Sequence, residues 1–406
     1  MKVKLRLMMF FQYMLFAVWW VPLAAYLTNM NVGTVAKSLI LSSMAIGCMV
    51  SPIIGMVADR YFASQKLLAM LNLFTGIFLV CAGISTNPNW LFAFLLAAMF
   101  FHMPTWSLTS SIAMKHSPPE IFPRIRVFGS IGWVTSGIFS LVTVHLLNIP
   151  FDGTNLPFFY GAGVSFIASM QNLTLPDTPP IMKNQGRSII DALGIRTVKL
   201  MKDRNFAVFI IFSFLSMIPF SMYWSYCSEF LLDKKIEHIS IMMNLGQLAE
   251  MLFLITVPFA IKKIGLRNTI VTGMFFLLIR YASFYFGASQ NIFWLYFIGV
   301  IVHGLIFGYF YLGGQIYIDK NAPDELKAQA QGFIFFVTFG IGLLVGNFIS
   351  GQIIEIFTVV INNTRIYNWG KIWEVTSIGT FILLILFAIM FKNEKIETLK
   401  TIKYLD

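Results

Sequence analysis

The chain has 406 residues, 57% of them hydrophobic and only 12% charged, with 42 Phe and a mean hydropathy of +0.75. This composition excludes a soluble globular protein and calls for several membrane spans. A net charge of +11 would suit a nucleic-acid binder, but the bases cluster in particular loops, so the charge encodes topology instead.

Apolar runs of about 20 residues, enough to cross a bilayer, fall at 5–28, 36–57, 66–86, 90–114, 127–148, 155–174, 206–231, 239–261, 268–288, 292–317, 331–355 and 372–391. An all-α integral membrane protein of twelve helices is expected, with the lipid bilayer as its first partner and no nucleic acid. If both termini are cytoplasmic, the outer segments hold only Lys37, Lys234, Lys235, Arg365 and Lys371, and Arg280 lies inside a helix. Every other Lys and Arg is then cytoplasmic, as the positive-inside rule requires. Cys48, Cys81 and Cys227 sit far apart within spans, which leaves neither a disulfide framework nor a metal spacing. With no nucleophile elbow and no phosphate loop, neither an enzyme nor a cofactor is expected.

The N-terminus opens like a signal peptide, but its apolar run is too long and lacks a small-residue cleavage site, so it reads as an uncleaved first helix. Gln12, Trp19 and Tyr26 are seven apart and share a side, either lining a cavity or, for the aromatics, anchoring at the interface.

After the second helix comes Gly55-Met-Val-Ala-Asp59-Arg60, followed by Lys66. The glycine permits close helix contact, and Asp59 can cap a neighbouring helix or pair with a base, which makes a latch. Here the chain resembles the major facilitator superfamily, whose loop between helices 2 and 3 carries such a Gly-x-x-x-Asp-Arg signature. The glycine usual after the bases is replaced by Phe62 and Ala63. A gating role for Gly55, Asp59 and Arg60 is what this resemblance implies. A six-helix offset relates Pro119-Glu120, Arg124, Arg126 and Gly129 to Pro323-Asp324-Glu325, Lys327 and Gly332, so two six-helix halves with a site between them are expected. The halves are placed at 1–175 and 206–392, and a polar linker runs over 176–205. There Ser188-Ile-Ile-Asp191 fits a capping box before an amphipathic stretch to Lys202. Residues 393–406 form a tail.

Helix 4 carries His102, read first as a hydrogen-bonded packing residue and second as a proton relay. On helix 5, Arg126, Ser130 and Trp133 are spaced i, i+4 and i+7, so a cation, a hydroxyl and an aromatic ring look the same way. Such a face can hold a polar ligand with a flat ring; the plainer reading is that Arg126 ends a helix at the surface. Helix 7 offers Ser221 and Trp224. In helix 8, Asn244, Gln247 and Glu250 recur every third residue and share one face of an apolar helix. A carboxylate at mid-bilayer costs roughly 2.5 to 3.5 kcal/mol on insertion scales, so Glu250 is expected to face a cavity, pair with a cation or carry a proton; the alternative is a hydrogen-bonded lock between helices. Arg280 in helix 9 reads as structural, paired with a buried acid or with backbone carbonyls. Helix 10 supplies His303 and Phe307.

Taken over nearly its whole length, the chain resembles the bacterial nucleoside:proton symporters. The matching stretches are Ile125-Arg-Val-Phe-Gly-Ser-Ile-Gly132, Gln247-Leu-Ala-Glu250-Met-Leu-Phe-Leu-Ile-Thr-Val-Pro258 and Ala328-Gln-Ala-Gln-Gly332, with the Trp373 region. The resemblance implies that Arg126, Ser130 and Trp133 take the places of an arginine, a threonine and an aromatic residue around the nucleoside, and Gln247 and Glu250 those of a glutamine and a glutamate. It departs on helix 7, where Ser221 and Trp224 replace polar amides. On helix 10, His303 replaces a tyrosine and Gly308 an aspartate beside the retained Phe307.

The expected function is thus proton-coupled nucleoside uptake by alternating access, by a monomer in a bacterial inner membrane. Glu250 would carry the proton, Trp133 and Phe307 would flank the base, and Gln247, Arg126 and Ser130 would bond base or ribose. A carrier of another neutral polar metabolite such as a sugar would keep Glu250 and drop the stacking. A transporter-shaped receptor is disfavoured by the short tail after Phe391.

Overall fold

Apolar runs punctuated by Pro, Gly and Asn become long helices whose ends and breaks follow those residues. The computed structural model describes residues 1–118, 121–179, 195–323, 326–362 and 364–392, with side chains described except at 54–60, 123, 195–196 and 328. Eleven helical spans among the described residues are long and apolar enough to cross a membrane. They are α1 (Lys2–Asn29), α2 (Thr34–Ile53), α3 (Ser64–Ile84), α4 (Pro88–Lys115), α5 (Arg124–Leu147), α7 (Arg204–Asp233), α8 (Ile239–Ile264), α9 (Leu266–Gln290), α10 (Trp294–Asn321), α11 (Gln329–Ile356) and α12 (Trp369–Met390). The remaining helix, α6 (Leu156–Asn172), has 17 residues, at the short end of what spans a bilayer, and packs on α1 and α3 as a twelfth.

Caps mark the boundaries. The Asp203 and Asn87 side chains accept backbone N–H groups at the starts of α7 and α4, while Asn148 and Asn291 close α5 and α9 in the left-handed conformation that asparagine tolerates. Prolines lack the donor a helix interior needs, and α1 breaks between Trp20 and Leu23 at Pro22. Large apolar side chains such as Leu146, Met170, Ile255 and Ile389 remain exposed, as a lipid-facing surface demands.

Within the first six helices α1 packs on α5 and α6, α2 on α4, and α3 on α4 and α6; within the second six, α9 packs on α10 and α12, and α7 on α11. The two sets meet where α1 touches α7, α2 touches α11 and α5 touches α8.

The helix that continues α2 runs to Tyr61, so Gly55, Asp59 and Arg60 are helical, but their side chains lie outside the described residues. Of the linker, residues 180–194, including the capping box at Ser188 and Asp191, lie outside them too; Ile195–Lys202 is a 3-10 helix. The all-helical expectation needs one addition. Between α11 and α12 the β-branched run folds into an antiparallel hairpin, β1 (Thr358–Ile361) with β2 (Thr364–Tyr367), turning at Asn362 with φ of 49°.

Candidate functional site

The site is built on α8, whose first segment Ile239–Phe253 is regular helix before a 3-10 turn at Leu254–Thr256 leads into Pro258. On its polar face, Asn244 donates to the Val134 carbonyl (3.4 Å) and to Ser136 Oγ (3.3 Å) of α5, tying the two halves together. One turn on, Gln247 Nε2 donates to Glu250 Oε2 at 2.6 Å. Glu250 is buried, and His303 Nε2 of α10 lies 3.7 Å from the same oxygen.

Two glycines allow this approach. A Cβ on Gly304 would sit 2.5 Å from the Ala249 carbonyl carbon and oxygen and 2.6 Å from the Glu250 nitrogen, so α10 rests directly on the α8 backbone. A Cβ on Gly246 would meet the Tyr223 hydroxyl and the Val300 carbonyl at 3.1 Å.

Trp133, Trp224, Gln247 and His303 line one cavity, with Glu250 next to Gln247. Trp133 and Trp224 meet at its wall, 5.9 Å between ring centres and tilted by 44°, and Trp224 stacks on His303 at 6.3 Å. The sequence analysis missed four further lining residues: Trp20, Val21, Tyr223 and Met243. The Pro22 break beside Trp20 was the available signal. Trp19, weighed as cavity lining, instead packs against Phe158 and is buried. Nothing in the apolar context of Tyr223 set it apart.

The other expected site residues are placed differently. The Arg126 guanidinium lies over the Tyr13 ring, 4.3 Å from its centre, and its charge reaches Glu250. Ser130, one turn on, is half-buried. Phe307 does not share the cavity of Trp133. It lines a neighbouring apolar space with Phe209, Met217, Tyr311 and Phe339, where α10 takes a π-helical turn over Phe307–Leu312. Trp224, not Phe307, is the ring opposite Trp133, because α7 breaks after it and leaves the indole between the halves. Ser221 is fully buried and bonds to the Ile218 carbonyl and, at 2.9 Å, to Ser350 of α11, so its hydroxyl is taken up by packing. His102 is buried too, accepting from the Trp106 indole at 3.2 Å and stacked on Phe16, in a cluster with Gln12 and Thr105.

The hydrogen bonds between the halves, among the described residues, run from the level of this cavity to the end of the molecule that holds Lys37 and Arg365. Ser38 bonds Tyr226 at 2.9 Å, the Ala25 N–H reaches Ser228 Oγ at 3.3 Å, and Lys37 is buried against Glu229 at 2.6 Å. Arg365 and Thr34 both bond Glu355. In the loop after α5, Asp152 accepts from Ser240 and Ser140; burial holds its carboxyl above the usual range, with those bonds opposing the rise. This end of the molecule is closed.

A family model described as Nucleoside H+ symporter matches residues 1–396. The chain belongs to the nucleoside:proton symporter family. Its site therefore sits in a family of transporters and not of enzymes. YegT of Escherichia coli, which bears a provisional name as a nucleoside transporter, is 32% identical over 97% of this chain and 94% of its own length. The nucleoside permease NupG of Escherichia coli is 27% identical over 98% of this chain and 97% of its length. The crystal structure of the nucleoside transporter NupG superposes with a TM-score of 0.85 at 26% identity, covering 97% of this chain and 99% of that one. The xylose transporter XylE from Escherichia coli, in its inward-open conformation at 13% identity and a TM-score of 0.69 over 98% of this chain and 97% of that one, shares the fold alone. The chain is thus a multi-pass membrane protein of the major facilitator fold.

Proposed function

We propose that this chain takes up nucleosides across the bacterial inner membrane together with protons, by alternating access of its two halves, 1–175 and 206–392, joined by 176–205. The observation that carries the reading is a buried carboxylate, Glu250, held by Gln247 at the edge of a cavity walled by Trp133 and Trp224. The indoles suit the flat face of a base, a contact worth about 1 to 3 kcal/mol in other settings. Gln247 and Tyr223 offer polar groups to base or ribose, and Arg126 and Ser130 border the site from α5.

Glu250 is the proton carrier in this reading. Moving a bare carboxylate through a buried site is expensive, whereas the protonated acid crosses neutral. The name of NupG, a nucleoside permease, supports the substrate class. A sugar carrier would share the carboxylate, but two indoles in one cavity wall favour a planar ligand.

Uptake of labelled nucleosides and sugars into vesicles, with and without an inward proton gradient, tests the proposal. Nucleosides accumulate only with the gradient, and Glu250→Gln abolishes accumulation while exchange persists. A Glu250→Gln protein that still concentrates substrate removes Glu250 as the coupling group; accumulation of sugars alone removes the nucleoside.

A further inference from the structure

Arg280 is a fully buried cation in the middle of α9, and among the described residues no carboxylate lies within ion-pair distance of it. The sequence analysis expected a buried acid or backbone carbonyls. One carbonyl is there: Nε donates to Gly299 of α10 at 3.0 Å. The guanidinium carbon lies 3.8 Å from the centre of the Tyr223 ring, and Nη2 meets His303 Nδ1 at 2.9 Å. The group is therefore held by α10 along its edge and by α7 across its face.

The bond to His303 has a chemical consequence. A guanidinium has only donors and stays charged, so His303 Nδ1 must accept. A neutral imidazole carries one hydrogen, which then sits on Nε2, the nitrogen 3.7 Å from Glu250 Oε2. A second proton on His303 would set an N–H against the N–H of a neighbouring cation. His303 is thus a fixed donor aimed at Glu250 and not a store for protons.

We propose that Arg280 and His303 act as one positioning unit for Glu250: Arg280 fixes the imidazole as its Nε2–H form, and His303 presents that hydrogen to the carboxylate once Glu250 has released its proton. The 3.7 Å separation closes to a hydrogen bond at that stage, and the buried cation one imidazole away compensates the carboxylate that appears. Other groups face Glu250 as well: Arg126 and Tyr13 from α5 and α1, and Gln247 on its own helix. Of these, His303 is the one whose donor geometry is set from behind by a permanent charge. This inference rests on the proton-coupling role of Glu250 for its functional part, while the tautomer assignment stands apart from any substrate.

The decisive measurement is the nitrogen NMR spectrum of full-length protein labelled with 15N-histidine in lipid nanodiscs, with the His303 signals identified by their loss in His303→Gln. The native ring is expected to stay neutral with the hydrogen on Nε2 between about pH 5 and 8. A hydrogen on Nδ1, or a doubly protonated ring in that range, overturns the proposal. Uptake of tritiated uridine and adenosine into vesicles supplies the second arm. The amide of His303→Gln can accept from Arg280 and donate to Glu250, so gradient-driven uptake should remain within about threefold of native, whereas His303→Leu should lose about tenfold or more, the effect of a charged hydrogen bond. Equal impairment of both variants overturns the positioning role. If native protein takes up neither nucleoside, the nucleoside reading fails, and the nitrogen spectrum still decides the tautomer.

Discussion

Lys37 of α2 and Glu229 of α7 form a buried ion pair across the two halves, Nζ to Oε1 at 2.6 Å, with 4% and 1% of their side-chain surface exposed. Lys37 Nζ also donates to Thr28 Oγ1 at 3.0 Å, and the Tyr367 hydroxyl donates to the same carboxylate oxygen at 2.8 Å. The hairpin β1–β2 thereby joins the closure. Removing one partner of such a pair strands a charge, at about 3 to 5 kcal/mol, whereas removing both leaves none stranded. Lys37→Met and Glu229→Gln should each lower the melting temperature of purified protein and admit thiol reagents from outside, and the double variant should recover most of the stability. A double variant whose loss equals the sum of the two single losses would show that the pair is not coupled.

Gly304→Ala should damage the contact between α8 and α10. Its methyl would lie 2.5 Å from Ala249 backbone atoms, which cannot rotate away, so a shift costing about 1 to 3 kcal/mol is expected, with His303 moved from Glu250. Gly308→Ala is the control, since its nearest neighbour is the Val257 side chain at 3.1 Å, which can adjust. Melting curves and gradient-driven uptake should separate the two; equal tolerance would refute the close approach as a requirement.

Trp133→Ala should cost both binding and stability. The indole is buried, with Phe16 at 5.6 Å and Trp224 at 5.9 Å between ring centres, so it supports packing as well as lining the cavity. Truncation is expected to cost about 3 to 5 kcal/mol of stability and to weaken nucleoside binding by about 1 to 3 kcal/mol. Trp133→Phe keeps a ring and should retain most of both. Calorimetric binding that is unchanged in both variants would remove Trp133 from the site.

Asp59→Asn is expected to slow transport far more than it weakens binding, because its motif lies at the far end of the helix that continues α2 and not at the cavity. Initial uptake rates set beside equilibrium binding of the same labelled nucleoside check this. Equal losses in rate and affinity would count against a gate.

The spans and their number were legible from the chain because hydrocarbon thickness acts on local composition. Gln247 and Glu250 stood out for a related reason: polar groups in an apolar helix need a partner wherever the helix sits, and their spacing already puts them on one face. The hairpin was written in its β-branched run, but a short run between two spans does not stand out against them. Partners across helices were not legible. Arg280 was visible as an oddity, yet its bond to His303 depends on how closely α10 settles against α9, where Gly299 lies under the Phe284 ring, a matter of interhelical distance with no local signature. Lys37 passed for an ordinary outer base, and only the docking of the halves buried it against Glu229. Ser221 and Phe307 were chosen by helix and motif, but a helix position fixes height in the membrane and not the direction a side chain takes, which neighbours decide: Ser221 turned to Ser350, and Phe307 to a second cavity. Composition and period thus determined the fold and its polar face, while the tertiary structure alone decided which charges meet, because long-range pairing depends on how helices pack and not on what any one of them contains.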